Sequence, residues 1–99
     1  MQHLASSANF SKLKSLKACD VSIGDSAVKT LALSKNLKKL EELRLNGNSI
    51  TREGLDFLHD TPNLSALKKI DLRRNQFLYE DCIFLSSSPR FKNLEVLRF

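Results

Sequence analysis

The apolar positions of this chain return every 27 residues. Leu13, Leu40, Leu67 and Leu94 form one such column, and Leu4, Leu31, Leu58 and Leu85 form a second. Phe10, Leu37, Leu64 and Phe91 make a third, and Leu16, Leu43, Ile70 and Leu97 a fourth. A polar column stays in phase with them: Ser7, Ser34, Thr61 and Ser88. Columns that agree without a gap mark internal repetition, which has to be recognised before any element is assigned. The units read as 13–39, 40–66 and 67–93, preceded by a partial unit over 1–12 and followed by the start of another at 94–99.

Within each unit the spacing changes character. Leu43 and Leu45 are two apart, as are Ile70 and Leu72, which is the period of a short strand with one buried face. A helical spacing follows: Val28 and Leu31, Leu55 and Leu58, Cys82 and Leu85 are each three apart. Asp25 and Thr51 are placed to cap two of these helices at their starts. Pro62 and Pro89 sit just beyond the helix ends, where proline blocks continuation. Each unit is therefore expected to run strand, bend, helix and return loop. One unit cannot bury its own apolar face, so neighbours must stack into a continuous core with a parallel sheet. Short strands on the inside and bulkier helices on the outside would bend the stack.

The run Leu40-x-x-Leu43-x-Leu45-x-x-Asn48-x-Ile50 and its counterpart Leu67-x-x-Ile70-x-Leu72-x-x-Asn75-x-Phe77 closely resemble the signature of leucine-rich repeat proteins. Gly54, following Ile50-Thr51-Arg52-Glu53, makes the units look like the ribonuclease-inhibitor-like subtype. The resemblance covers essentially the whole chain. It implies an α/β fold, a right-handed horseshoe-shaped solenoid with a concave parallel sheet and convex helices, and a function in protein recognition.

Asn48 and Asn75 have a physical reason to recur. At a sharp bend the backbone exposes polar groups, and an amide side chain both donates and accepts. They are expected to form a structural ladder rather than a binding site. Val21 holds that position in the first full unit and cannot make those bonds, so its bend must be satisfied otherwise. Ala18 stands where the later units have Leu45 and Leu72, and Ala27 and Asp81 stand at the position of Gly54. Neither end shows a polar capping unit, which leaves two strand edges open at residues 13–19 and 94–99. A segment of a longer array, or self-association through these edges, is the expectation.

Strand residues that alternate with the core leucines should face the concave side. One column reads Lys17, Arg44, Asp71 and Arg98; the next reads Cys19, Asn46 and Arg73, then Asp20, Gly47 and Arg74. Ser15, Glu42, Lys69 and Val96 lie on the other side of the core column. The candidate partner-binding residues are Lys17, Arg44, Asn46, Lys69, Asp71, Arg73, Arg74 and Arg98. Arginine suits bidentate contact with carboxylates, so an acidic protein surface is the expected partner. The plainer alternative is a solvated face whose charges pair among themselves, Arg44 with Asp71 for example.

Charge and composition narrow this only a little. A net charge of +5 permits an acidic partner. Nucleic acid fits less well, because Glu41, Glu42, Asp71 and Glu95 interrupt the basic columns and no aromatics are interleaved for base stacking. A structural spacer within a longer array is a further alternative. Ser, His and Asp form no catalytic motif, and the three glycines form no phosphate-cradling loop, so no enzyme activity and no cofactor or metal site is expected. Cys19 and Cys82 are not a C-x-x-C pair and read as reduced thiols, Cys82 as a buried small hydrophobe. His59, in a column with Ala5, Ala32 and Ser86, reads as surface filling. No run is long and apolar enough to span a membrane and no signal sequence opens the chain, so a cytoplasmic location is expected.

Overall fold

Strands of three residues are not stable alone; each needs neighbours and a covered face. The computed structural model describes residues 11–99 and shows how that need is met. In chain order the elements are β1 (Ser15–Lys17), α1 (Asp25–Leu33), a 3-10 turn (Lys35–Leu37), β2 (Glu42–Arg44), α2 (Arg52–Asp60), β3 (Lys69–Asp71), α3 (Tyr79–Ser86) and β4 (Val96–Arg98). The four strands form one parallel sheet in the order β1-β2-β3-β4. The class is α/β. The partial unit expected over 1–12 lies, but for residues 11 and 12, outside the described residues.

The sheet register equals the sequence period. Leu16 lies opposite Leu43, Leu43 opposite Ile70, and Ile70 opposite Leu97. Backbone bonds carry the same offset beyond the strands, as in Leu45 N–H to Asp71 O (2.8 Å) and Gly47 N–H to Arg73 O (2.8 Å). The apolar columns meet in one core, in which Leu31, Leu37, Leu40, Leu43, Ile50, Leu58, Leu64 and Leu67 have no exposed surface. Each such side chain contributes roughly 2 kcal/mol of burial. The same columns are looser at both ends: Leu13, Leu94 and Leu97 are only partly buried. Cys82 is half-buried rather than buried like Val28 and Leu55 in its column, because no described element packs beyond α3.

Asn48 and Asn75 each join two units. The Asn48 amide donates to Leu45 O (2.9 Å) in its own unit and to Ala18 O (2.8 Å) in the preceding one. Its Oδ1 accepts from Val21 N–H (3.1 Å) and Ile23 N–H (2.9 Å). Asn75 repeats this, donating to Leu72 O (3.0 Å) and Leu45 O (2.9 Å) and accepting from Ile50 N–H (3.0 Å). Each asparagine thus serves the unit before its own. The bend at Val21 is satisfied by Asn48, although valine itself has no amide to give.

The Ser/Thr column forms a second ladder at the other end of the helices. Thr61 Oγ1 donates to Ala32 O, and Ser88 Oγ donates to His59 O (2.7 Å). Both hydroxyls also accept from the backbone two residues on, at Asn63 N–H (3.1 Å) and Arg90 N–H (3.2 Å). Ser34 Oγ accepts likewise from Asn36 N–H (3.2 Å). The turns at Thr61 and Ser88 close α2 and α3 while tying each to the helix before it.

The expected helix caps take a different form. Gly24 and Thr51 occupy the N-cap positions of α1 and α2, and neither makes a side-chain cap bond. Asp25 is the first residue of α1, and its carboxylate accepts from Thr51 N–H (2.8 Å) and Thr51 Oγ1 (2.5 Å) across the unit boundary. Gly54 makes room for this: a Cβ there would lie 2.5 Å from Asp25 Oδ1. At the next boundary Arg52 stands in the Asp25 column and Asp81 in the Gly54 column, and the two form an ion pair (3.3 Å). Asp81 also accepts from Leu78 N–H (2.8 Å), capping α3. His59 is no surface filler, since its ring stacks on Phe84 with centroids 4.3 Å apart. Arg52 lies 3.7 Å from the same ring.

The ladder leads to the first expected outcome. Asn48→Asp keeps the size but turns a carboxylate oxygen toward the carbonyls of Ala18 and Leu45. It should cost about 3 kcal/mol, read as a drop in the urea midpoint against the parent chain.

Candidate functional site

The sheet has one face against the helices and one open face. Ser15, Lys17, Arg44 and Lys69 are exposed on the open face, on either side of the buried Leu43 and Ile70. The strands therefore bring the predicted residues Lys17, Arg44, Asp71 and Arg98 into one row, with Lys69 in the row of Ser15, Glu42 and Val96 on the other side of the core column and Asn46 and Arg73 just past the strand ends.

Pairing along that row runs within strands, not between them. Arg44 Nε lies 2.5 Å from Glu42 Oε2, two residues back on the same strand. Arg73 grips Asp71 with two bonds, Nη2 to Oδ2 (2.7 Å) and Nε to Oδ1 (3.0 Å), and its backbone N–H adds a third (3.1 Å). The expected Arg44–Asp71 pair is replaced by these two, because residues i and i+2 share a face at close range. Asp71 is buried at 6% exposure, so its role is to hold Arg73. Its hydrogen bonds from Arg73 keep its carboxyl below the ordinary range, against the opposing effect of burial. Arg44 does the same for Glu42, helped by Lys17 and Lys69 nearby. The Asn46 side chain accepts from the Cys19 thiol through Oδ1 (3.0 Å).

The outer column, Asp20, Gly47 and Arg74, sits at a left-handed turn in every unit, with φ of 57°, 72° and 57°. Gly47 is the residue suited to that conformation. Its lack of a side chain also leaves space for the Asp20 carboxylate, which a Cβ would strike. Asp20 reaches over it to Arg74, 3.6 Å away and two units on. Arg74 is thereby compensated.

Among the described residues, Lys17, Lys69 and Arg98 are in no ion pair. The net charge is also spread unevenly along the chain. Residues 12–39 carry seven lysines and two aspartates, whereas residues 40–99 carry nine basic and nine acidic side chains. The whole net charge of +5 therefore sits in the first full unit and Lys12. Lys12, Lys14, Lys17, Lys29, Lys35, Lys38 and Lys39 are all exposed. Sequence reasoning missed this group because it summed charge over the chain; a count by unit finds it.

Other chemistry is sparse. The Cys82 thiol is pushed up by burial and by Asp81, which disfavours the reactive thiolate. Among the described residues no cluster of His, Cys, Asp and Glu could hold a metal ion, and no helix is long and apolar enough to cross a membrane. No family model matches the chain, and no curated protein is similar to it.

The lowered carboxyls set a pH dependence. A carboxyl that ionises more readily when folded contributes stability above the ordinary carboxylate range, and that stability is lost as pH falls through its folded value. Asp71→Ala should cost about 2 kcal/mol at neutral pH and should flatten the acid limb of the stability curve. Urea unfolding over a pH series checks both.

Proposed function

We propose that this chain is a non-catalytic protein-recognition segment, a leucine-rich repeat solenoid of the ribonuclease-inhibitor-like kind. Its parallel sheet would be the concave side of a horseshoe arc, and an acidic protein surface would dock there. Three features support the architecture: a sheet register equal to the 27-residue period, asparagines that bond across each unit boundary, and helices on one side of the sheet only.

The observation that carries the function is the pattern of compensation on the open face. Glu42, Asp71 and Asp20 neutralise Arg44, Arg73 and Arg74 in place. Lys17, Lys69 and Arg98 are left to a partner on the same open face. Carboxylates on a partner would meet three cations that lie near Glu42 or Asp71 but contact neither, and would have no direct ion pair to break first. Such a contact gives fast, salt-sensitive association more than raw affinity.

Polyanion binding is the second reading, and the seven exposed lysines favour it. One titration separates the two. A glutamate-rich peptide and a single-stranded oligonucleotide of equal charge are each titrated by fluorescence anisotropy at low salt. The peptide should bind the tighter of the two, and Lys17→Glu with Lys69→Glu should weaken it about tenfold. Tighter binding of the oligonucleotide would favour the polyanion reading. Peptide binding that ignores the two substitutions would favour a structural spacer.

A further inference from the structure

The segments that lead into the strands gather the positive charge on one side of the molecule. Residues 11–14, 34–41, 61–68 and 88–95 run into β1, β2, β3 and β4, and parallel strands begin at a common edge. The backbone binds these segments in sequence: Glu41 N–H to Lys14 O (2.8 Å), Lys68 N–H to Glu41 O (2.7 Å) and Glu95 N–H to Lys68 O (2.8 Å). They therefore enter the sheet side by side, about 4.8 Å apart. The edge they form carries eight basic and two acidic side chains, whereas the rest of the chain carries eight basic and nine acidic. Lys12 and Lys14 precede β1, Lys38 and Lys39 precede β2, and Arg90 and Lys92 precede β4.

These cations are not spent within the molecule. All eight are exposed. One ion pair lies on the edge among the described residues, Lys68 with Glu41 at 3.8 Å. Residues 1–10 hold no acidic side chain that could supply another. Between the last two segments opens a cleft of about 570 Å³, lined by Asp60, Pro62, Ser65, Pro89, Arg90 and Lys92. The Asp60 carboxylate lies 2.8 Å from His59 Nδ1.

We infer that this edge is a second binding surface, separate from the open sheet face, and that it takes the phosphate backbone of duplex nucleic acid. A duplex presents one negative charge per about 1.7 Å of its axis, a continuous line that a strip of one sign fits. Seven of the eight cations are lysines, point charges that meet phosphate oxygens without the planar match a carboxylate offers to arginine. Glu42 and Asp71, which interrupt the basic columns of the open face, belong to the strands and not to this edge. The one aromatic residue of the four segments, Phe91, is half-buried in the core, so bases have nothing to stack on and a single strand gains little here. An anionic bilayer fits less well, since surface binding there also draws on apolar side chains. The exposed apolar residues Val21, Leu78 and Tyr79 stand at the opposite ends of the helices. Contacts to phosphate alone position a duplex without reading it, so binding is independent of sequence.

The test is fluorescence anisotropy of the full chain with a labelled random-sequence duplex of about 20 base pairs, titrated over a salt series. Contact with about five phosphates should lower affinity about 500-fold between about 50 and 200 mM salt. Lys38→Gln with Lys39→Gln, and separately Arg90→Gln with Lys92→Gln, should each weaken binding at least tenfold at low salt and make it less salt-sensitive. Ser26→Glu with Ser49→Glu makes the same change in net charge at the other end of α1 and in the bend after β2, and should weaken it less than threefold. Circular dichroism checks the fold of each variant. Absence of duplex binding at low salt overturns the inference. So does an equal loss in all three variants, which would reduce the effect to overall charge, and so does binding indifferent to both edge variants. Tighter binding to phosphatidylserine vesicles than to the duplex at equal anionic charge also overturns it, in favour of a membrane surface.

Discussion

Everything in this molecule depends on one constraint: a unit leaves polar backbone groups open that only the next unit can satisfy. The clearest case is the bend after β1. Val21 and Ile23 present N–H groups with no local partner, and Asn48 accepts from both from 27 and 25 residues away. Asn75 does the same for Ile50. A donor shielded from water and left unpaired costs about 1–3 kcal/mol, which applies to the part-buried bonds at Ile23 and Ile50 rather than to the exposed one at Val21, so removal of one asparagine damages its predecessor as well as its own turn. The core imposes the same dependence in apolar terms, because Leu43 and Ile70 are wholly buried only where strands lie on both sides. Stability of this kind is shared between neighbours rather than held within units.

The boundaries are built on one plan with different chemistry. Between the first and second units, a carboxylate meets a threonine and needs a glycine to pass. Between the second and third, an arginine meets an aspartate and also packs on Phe84 with His59. These solutions cannot be exchanged singly. Asp25 opposite Asp81 would place two carboxylates together, and Arg52 opposite Gly54 would lose its partner. The Ser/Thr ladder, by contrast, is the same at each boundary, since a hydroxyl that both donates and accepts suits any neighbour.

The period, the strands, the helices and the asparagine ladder were all legible in the sequence, because each rests on a column where the same residue type recurs. The Ser/Thr column was visible too, but not its purpose; nothing in the sequence says that Thr61 would reach back to Ala32. What stayed hidden depends on geometry within a column. Arg44 could pair along its strand or across to the next, and only side-chain reach decided for Glu42. Asp25 and Thr51 looked like separate caps and turned out to bond each other. Cys82 shared a column with two buried residues, yet its exposure is set by what lies beside α3. On the open face, the candidate residues were found as columns, while their division into cations in direct ion pairs and cations outside them required the distances.

The most direct measurement is native-state hydrogen exchange at single amides. If the asparagines hold each unit to the one before, then the N–H groups of Ile23 and Ile50 open only when the strands open. They should exchange with the same protection as Leu45 and Leu72, whose N–H groups lie in the sheet ladder. Exchange of Ile23 and Ile50 at the rate of exposed amides, with the ladder still protected, would contradict the account and reduce the asparagines to surface decoration.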